Sequence, residues 1–256
     1  MSPFVLTIVR FLSGFVVLLV LSSIKTPTFA RGRAGKKDIV GGALLGVYAF
    51  AISYGYLYIT AAAGSFVFFS IVVVTMSAFS VIVEKERLTW PLLAGSLLGI
   101  LGVLIINFGG ITSVTSIGVA LMAATGISWA LYSSYGKKFF GTYFEFSFWS
   151  FLVLGILMLL AALVTLPIQG LSQWDNISST ALGLALFMGT ATTALSYITW
   201  NRLLRKIKTS QGGLVQLLVP VITSVLGLFL LSEAFTPTLL IGGSVILIGI
   251  YLVSFL

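Results

Sequence analysis

The chain of 256 residues is 59% hydrophobic and only 8% charged, whereas soluble domains carry about 25% charged residues. A chain this apolar cannot cover a water-facing surface, so we expect lipid to be its solvent. It contains no Cys and no His and only six scattered acidic residues. This excludes thiolate and imidazole metal sites and Ser-His or Cys-His catalysis, and we predict neither an enzyme nor a metal or cofactor site.

Nine apolar stretches follow one another along the chain, each long enough to cross a bilayer as a helix of roughly 20 residues. Only short polar or Gly/Pro-containing segments separate them. We therefore predict an all-α fold, a polytopic bundle of nine transmembrane helices. The first stretch is longer than the apolar region of a signal peptide and has no basic residue before Arg10, which favours a membrane helix. The nine stretches are Pro3–Ile24, Asp38–Ile59, Ala62–Val83, Trp90–Phe108, Ile117–Tyr135, Phe144–Pro167, Ala181–Leu203, Gln211–Leu231 and Thr238–Phe255.

The basic residues are concentrated in alternate connections between the apolar stretches. Apart from Arg10, all of the 14 lie in every second connection between the apolar stretches or within two residues of it. Lys and Arg remain on the cytoplasmic side of a membrane, so we expect an outside N-terminus and a cytoplasmic C-terminus in a cell membrane, such as a prokaryotic inner membrane. The net charge of +8 is spread over four short loops, which argues against a nucleic-acid partner. The loop residues are Lys25, Arg31, Arg33, Lys36, Lys37, Lys85, Arg87, Lys137, Lys138, Arg202, Arg205, Lys206 and Lys208.

The chain contains an internal repeat. Ala51–Tyr54 matches Ala194–Tyr197 at an offset of 143 residues. Each matched pair lies on predicted helices of opposite direction, so the pattern indicates an inverted repeat, a common build for secondary transporters. Chance similarity among apolar helices is the alternative. The predicted halves are 1–112, with four helices, and 113–256, with five. Further matches, at an offset of 147 residues, pair Glu86 with Glu233, Thr89 with Thr236, Gly95 with Gly242, and Gly102 with Gly249.

The order of these motifs resembles the EamA-like permeases of the drug/metabolite transporter superfamily. The resemblance covers essentially the whole chain. That family has ten helices in two halves of five, so it implies that the first family helix is missing here: either this is a nine-helix member, or the start codon lies upstream. Val73 also stands where the second copy has Pro220. The resemblance rests on Glu86–Gly102, on Leu231–Gly249, on Gly118 with Ser128–Tyr132, and on Ser2–Phe4 with Arg10 and Phe11.

The resemblance implies alternating-access transport of small metabolites, often amino acids, nucleotide-like compounds or drugs, without ATP. In agreement, the sequence contains no phosphate-binding loop of the Gly-x-x-x-x-Gly-Lys-Ser/Thr type. We expect a permease for amino acids or related compounds, surrounded by membrane lipid. A non-transporting or truncated scaffold related to the family is the alternative.

Candidate substrate contacts are polar and aromatic side chains at helical spacing, because lipid penalises such groups unless they face a protein interior or cavity. Interfacial belts and close helix packing are the alternative roles of Tyr, Trp, Ser and Thr. The candidates are Phe50, Ser53 and Tyr54 on the second stretch, Trp129 and Tyr132 on the fifth, Thr193 and Tyr197 on the seventh, and Gln211 and Gln216 on the eighth.

Three charged residues are candidates for anion binding or gating. Arg10 could bind an anionic substrate group, although snorkelling to the outer interface is the favoured interpretation. For Glu86 and Glu233, at helix ends, a structural role in interfacial turns is favoured. Asp38 is taken as a single loop acid that forms no acid pair. We expect no buried carboxylate in the membrane spans, so proton coupling has no evident carrier.

Glycine stripes mark two further stretches. Gly95 and Gly99 form a small-x-x-x-small pattern, and Gly242 and Gly249 share one helix face. Such glycines let helix backbones approach closely. Packing within the chain is favoured, and a homodimer contact is the alternative.

Overall fold

The computed structural model describes residues 1–25, 35–108, 111, 114–139, 142–169, 177–230 and 237–255. Within these ranges nine spans are helical, long and apolar enough to cross a membrane. The prediction of an all-α, polytopic bundle with nine transmembrane helices is therefore confirmed. Several residues singled out in the sequence lie outside the described ranges, namely Arg31, Arg33, Glu233 and Thr236.

Seven of the nine spans are uninterrupted helices, and the seventh and eighth are interrupted. The predicted ends agree with the observed ones to within four residues. The uninterrupted helices are α1 (Pro3–Lys25), α2 (Lys36–Gly55), α3 (Ala61–Ile82), α4 (Trp90–Asn107), α5 (Ser116–Phe139), α6 (Tyr143–Gln169) and α11 (Pro237–Phe255). The seventh span consists of α7 (Ser179–Phe187), the π-helix π1 (Met188–Leu195) and α8 (Ser196–Leu204), and the eighth of α9 (Thr209–Val215) and α10 (Leu218–Leu230).

The interruption of the eighth span follows from Pro220. Proline has no amide hydrogen, so the carbonyl of Gln216 cannot receive the usual helical bond from residue 220. The amide of Val219 donates to that carbonyl instead, at 3.0 Å, and the amide of Leu217 donates to Leu214 at 2.9 Å. These tighter turns separate α9 from α10. Val73 occupies the equivalent position on α3, which is continuous.

One compact unit comprises residues 1–53 and 135–206. It contains α1, α6, the seventh span and nearly all of α2. Within it, α1 packs against π1, α6 and α7. An aromatic core joins three of these elements: the ring centroid of Phe151 lies 5.7 Å from Phe11 and 5.4 Å from Tyr197. Edge-on aromatic packing of this kind adds to the energy of burial.

The second compact unit comprises residues 54–134 and 207–256. It contains α3, α4, most of α5, and helices α9 to α11. Helix α4 packs along α11, and α3 packs against α4 and α9. Glycine allows α5 to approach α3 closely, since a Cβ at Gly126 on α5 would lie 2.9 Å from the carbonyl oxygen of Phe68 on α3. One buried hydrophobic cluster of this unit consists of Phe69, Val73, Val103, Leu214, Leu217 and Ile246, and a second consists of Ile59, Ala63 and Met122.

Helices related by the predicted repeat belong to the same unit. The second and seventh spans lie in the first unit, whereas the third and eighth, and the fourth and ninth, lie in the second. Each compact unit therefore combines helices from both predicted halves of the sequence.

Helices α4 and α11 meet through four glycines. A Cβ at Gly95 would lie 2.5 Å from the carbonyl oxygen of Gly249, and one at Gly102 would lie 2.7 Å from that of Gly242. The repeat pairs Gly95 with Gly242 and Gly102 with Gly249, but the contacts are crossed: Gly95 meets Gly249, and Gly102 meets Gly242. Such a crossed arrangement is expected for a contact with pseudo-two-fold symmetry. Close approach brings Cα–H groups within reach of carbonyl oxygens. The predicted packing of these glycines within the chain is confirmed.

Replacing Gly242 with Ala should destabilise the protein. The new Cβ would lie 2.7 Å from the Gly102 carbonyl oxygen, and backbone atoms cannot move aside without separating the helices. We expect overpacking to cost about 1–3 kcal/mol and the melting temperature in detergent to fall.

The adjacent glycine provides a matched control. A Cβ at Gly243 would lie 3.6 Å from Val221, an ordinary contact, so Gly243→Ala gains helix propensity of about 0.5–1 kcal/mol without a clash. Equal melting temperatures for the two variants would contradict the close-contact account of the α4–α11 pair.

Candidate functional site

The first group of polar side chains, the Arg10 cluster, consists of Arg10, Tyr48, Thr193 and Tyr197. The Nε of Arg10 donates a hydrogen bond of 2.7 Å to Oγ1 of Thr193. Thr193 is fully buried and is the fifteenth of the 26 residues in the span Ser179–Leu204. The guanidinium is therefore held near the middle of a membrane span. This contact directs the side chain towards a buried partner, whereas the favoured interpretation has Arg10 snorkel to the interface.

Glycine allows this placement. A Cβ at Gly189 on π1 would lie 2.2 Å from the carbonyl oxygen of Arg10 and 1.9 Å from Oγ of Ser13. On the facing helix, a Cβ at Gly14 would lie 3.0 Å from the carbonyl oxygen of Gly189. Only residues without side chains permit α1 and π1 to approach this closely. Short π-helical segments are rare and occur frequently at functional sites.

Aromatic residues complete the Arg10 cluster. Tyr48 on α2 and Tyr197 on α8 are both buried, and their ring centroids lie 6.4 Å apart. Both interact with the guanidinium, Tyr48 through a hydrogen bond. The guanidinium carbon also lies 5.2 Å from the ring centroid of Phe11. Among the residues that the structure describes, no Asp or Glu forms an ion pair with Arg10.

The other candidates on α2 lie beside this cluster rather than in it. Ser53 accepts a hydrogen bond of 2.7 Å from Oγ1 of Thr7, which lies one turn before Arg10. Phe50 stacks on Phe4 with a centroid distance of 6.4 Å. Sequence reasoning missed Tyr48, although its spacing from the buried Leu45 is that of one helix face.

The second group, the Gln216 cluster, consists of Met76, Trp129, Tyr132 and Gln216. Gln216 lies at the break between α9 and α10. Its Oε1 accepts a hydrogen bond from Nε1 of Trp129, and its Nε2 donates to the sulfur of Met76 at 3.3 Å. The rings of Trp129 and Tyr132 stack with centroids 5.8 Å apart. Three residues predicted from sequence are thus brought together, and all three are buried.

Two predicted contacts lie apart from the Gln216 cluster. Tyr54 is exposed. Gln211 stabilises the start of α9, since its Oε1 accepts from the amide of Lys208 at 3.0 Å. Its Nε2 donates to the carbonyl of Val253 at 3.4 Å. These contacts give Gln211 a capping role.

The third group, the Glu86 cluster, ties the end of α3 to the start of α9. Oε2 of Glu86 accepts hydrogen bonds from Oγ of Ser80 and, at 2.8 Å, from Oγ of Ser210. Its Oε1 lies 3.3 Å from Nζ of Lys208. Glu84 adds a second link by accepting from Oγ1 of Thr209 at 2.7 Å. The contacts support the structural role favoured for Glu86.

These contacts determine the charge state of Glu86. Partial burial alone would raise its pKa, but the hydrogen bonds from Ser80, Ser210 and Lys208 outweigh it, so the pKa of the Glu86 carboxyl is lowered. Hydrogen bonds to a carboxylate favour its charged form. Lys85, whose φ is 60°, turns the chain back so that the amide of Glu86 donates to the Ser80 carbonyl at 3.0 Å.

Asp38 corrects a further expectation. It lies in the first turn of α2 and is 7% exposed, so it is not a loop acid open to water. Its Oδ2 accepts a hydrogen bond of 2.6 Å from the amide of Gly35. A carboxylate at this position is stabilised by the positive end of the helix dipole.

Nine apolar spans with polar side chains held inside them define a multi-pass membrane protein of the transporter class. The chain belongs to the EamA-like transporter family, whose model matches residues 1–108 and 116–255. The resemblance predicted from the motifs is thereby confirmed.

Relatives agree with this assignment. An uncharacterized transporter of Archaeoglobus fulgidus is 27% identical over 96% of this chain and 90% of its own length. An uncharacterized protein of Pseudomonas aeruginosa is 32% identical over 91% of this chain and 77% of its own. A solved structure titled only as the crystal structure of a protein has a TM-score of 0.82, at 19% identity, over 99% of this chain and 88% of that one, which shows the fold alone.

Replacing Glu86 with Gln should lower stability in a pH-dependent way. Because the folded-state pKa is lowered, the charged carboxylate stabilises the fold above the ordinary glutamate pKa of about 4.3. That contribution is lost as pH falls through the lower folded-state value. At neutral pH we expect Glu86→Gln to cost about 1–2 kcal/mol, measured as a lower melting temperature. The difference from wild type should shrink below about pH 4.3.

Glu145→Gln is the matched control, because within the described ranges the Glu145 carboxylate accepts only a 3.4 Å bond from Thr142 in its own helix turn. A Glu86→Gln deficit that stays constant as the pH falls would show that charge is not what stabilises this contact.

Proposed function

We propose that this protein transports small organic metabolites, amino acids or related compounds among them, across the cell membrane. Transport proceeds by alternating access without ATP hydrolysis. The observation that carries the proposal is the position of Gln216, a buried amide at the break of a membrane span, bonded to the indole of Trp129. Discontinuous helices of this kind form the substrate sites of many secondary transporters.

Gln216 retains capacity to bind a polar solute. A side-chain amide offers two N–H donors and an oxygen with two lone pairs. Within the described part of the chain, the oxygen accepts from Trp129 and the nitrogen donates only to the thioether of Met76, a weak acceptor. A polar solute with donor and acceptor groups would satisfy the remaining N–H donor and oxygen lone pair of the amide better than lipid does.

The stacked rings of Trp129 and Tyr132 add a large surface beside this amide. Rings with a polar atom at the edge suit small amphipathic solutes, because one face packs while the edge hydrogen-bonds. This combination supports metabolites of amino-acid size over purely apolar compounds. The alternative, a non-transporting scaffold, gives no role to an amide placed at a helix break.

The orientation is part of the proposal. Lys137 and Lys138 lie at the end of α5, whereas the connection before its start at Ser116 carries no basic residue. The positive-inside rule therefore supports a cytoplasmic end at Lys137 and an outer end at Ser116. The same rule supports an outside N-terminus and a cytoplasmic C-terminus.

Transport is tested by counterflow of labelled amino acids and nucleosides in proteoliposomes of the purified protein. Wild type should exchange at least one labelled solute faster than protein-free liposomes. Gln216→Met keeps the volume but removes the amide, and Trp129→Phe removes the indole donor. We expect each to lower the exchange rate at least about tenfold, as loss of a buried polar contact does.

Trp90→Phe is the matched control for Trp129→Phe, because Trp90 is 77% exposed and its ring contributes to no cluster described above. Its exchange rate should equal that of wild type. A wild-type protein that exchanges none of the solutes faster than empty liposomes would contradict the proposal and favour the scaffold.

Orientation is tested by cysteine labelling in intact cells. The chain has no native Cys, so single substitutions need no prior background mutant. A membrane-impermeant maleimide should label Thr115→Cys from outside, and should label Lys137→Cys only after the cells are opened. Labelling of Lys137→Cys in intact cells would reverse the proposed orientation.

A further inference from the structure

The Arg10 guanidinium is a charge near the middle of a membrane span, where unpaired charges are costly and mark functional sites. Three structural arrangements normally relieve that cost. The side chain can extend to the interface, pair with a carboxylate, or lie open to a water-filled cavity. The first does not apply, because Nε is bonded to the fully buried Thr193.

Pairing with a carboxylate does not apply either, within the residues that the structure describes. The hydrogen-bond partners of Arg10 there are the hydroxyls of Thr193 and Tyr48, and Tyr197 and the ring of Phe11 lie beside the guanidinium. All of these groups are neutral. They satisfy hydrogen bonds and give some cation–π stabilisation, but they leave a full positive charge without a counter-ion.

We infer that the Arg10 cluster binds the carboxylate of the transported solute, so that the substrates include small monocarboxylates with no other charged group. The inference rests on the proposed transport function. A guanidinium has five N–H donors in a planar fork that matches a carboxylate. Nε is committed to Thr193, which fixes the orientation of the fork, while tyrosine hydroxyls beside it add further donors.

The charge of the cluster selects among anions. Arg10 is the only cationic side chain in it, so the cluster neutralises one negative charge. A carboxylate carries one, whereas a phosphate monoester carries close to two near neutral pH. When the site is closed to water, the second charge would have no partner. The cluster therefore suits a monocarboxylate rather than a phosphate.

The surrounding backbone is arranged to hold Arg10 in this place. The π-helical segment positions Thr193, and Gly189 lets π1 contact the Arg10 carbonyl directly. Thr7, Arg10 and Gly14, spaced three and four residues apart, lie on one stripe of α1, and both Thr7 and Gly14 pack inside the unit. A residue that only snorkels needs no such support.

The test compares each acid with an uncharged analogue as a competitor of counterflow in proteoliposomes. The probes are pyruvate, benzoate, benzamide, inorganic phosphate and the proteinogenic amino acids, at constant ionic strength. In wild type, carboxylates should inhibit at least tenfold more strongly than the matched amide and than phosphate. Arg10→Gln should abolish this preference. Arg10→Lys, which keeps the charge but loses the fork, should reduce it several-fold.

Arg202→Gln is the matched control, because Arg202 is exposed, and it should keep the wild-type preference. If Arg10→Gln does not yield a monodisperse protein, Arg10→Lys carries the test. If wild type exchanges uncharged solutes and carboxylates do not inhibit that exchange, the inference is overturned while the proposed transport remains intact. Inhibition by phosphate as strong as by carboxylates would also overturn it.

A second readout separates the two proposals. Carboxylates should raise the melting temperature of the detergent-solubilised wild type more than that of Arg10→Lys. This shift without any exchange would support the Arg10 site while contradicting transport. An equal shift in wild type and in Arg10→Lys would overturn the Arg10 site whatever the exchange rate.

Discussion

Lipid removes the hydrophobic force between helices, since acyl chains are as apolar as leucine. Helices in this chain must therefore be held by close backbone packing and by polar contacts. Glycine supplies the first in both units: Gly95, Gly102, Gly242 and Gly249 join α4 to α11, and Gly189 brings π1 against α1. Polar contacts supply the second, as in the bond from Arg10 to Thr193. The polar clusters keep their geometry only while these close contacts hold.

The two copies of the repeat are not equivalent, and the difference falls on the candidate sites. In the first copy α2 and α3 are regular helices, whereas their mates contain π1 and the break before α10. Thr193 lies in π1, and Gln216 lies at the break. The regular copy contributes Tyr48 and Met76 as partners. The irregular helices thus place Thr193 and Gln216, whereas Arg10 and Trp129 come from the uninterrupted helices α1 and α5.

The number of spans and their approximate ends were predictable, because lipid demands about 20 apolar residues for each crossing. The break before α10 was also within reach of the sequence, since Pro220 lacks the amide that a helix needs there. No local signal predicts π1. The direction of the Arg10 side chain depends on Thr193, 183 residues away, and the burial of Asp38 depends on tertiary packing. The spacing of residues along one helix does not reveal partners that are distant in the sequence. Gln216 could therefore be selected because a buried amide is costly in lipid, but its bond to Trp129 could not be predicted.

A fixed charge at the Arg10 cluster has a consequence for the transport cycle. With a carboxylate bound, the guanidinium and the anion form a neutral pair that can be enclosed away from water. Without it, enclosure leaves a lone buried cation, whose desolvation is far more costly than that of a pair. In the proposed cycle the loaded protein would therefore pass through the enclosed state more easily than the empty one, because the bound anion lowers the free energy of that state. Under the proposal, this asymmetry would favour exchange of one carboxylate for another over net flux.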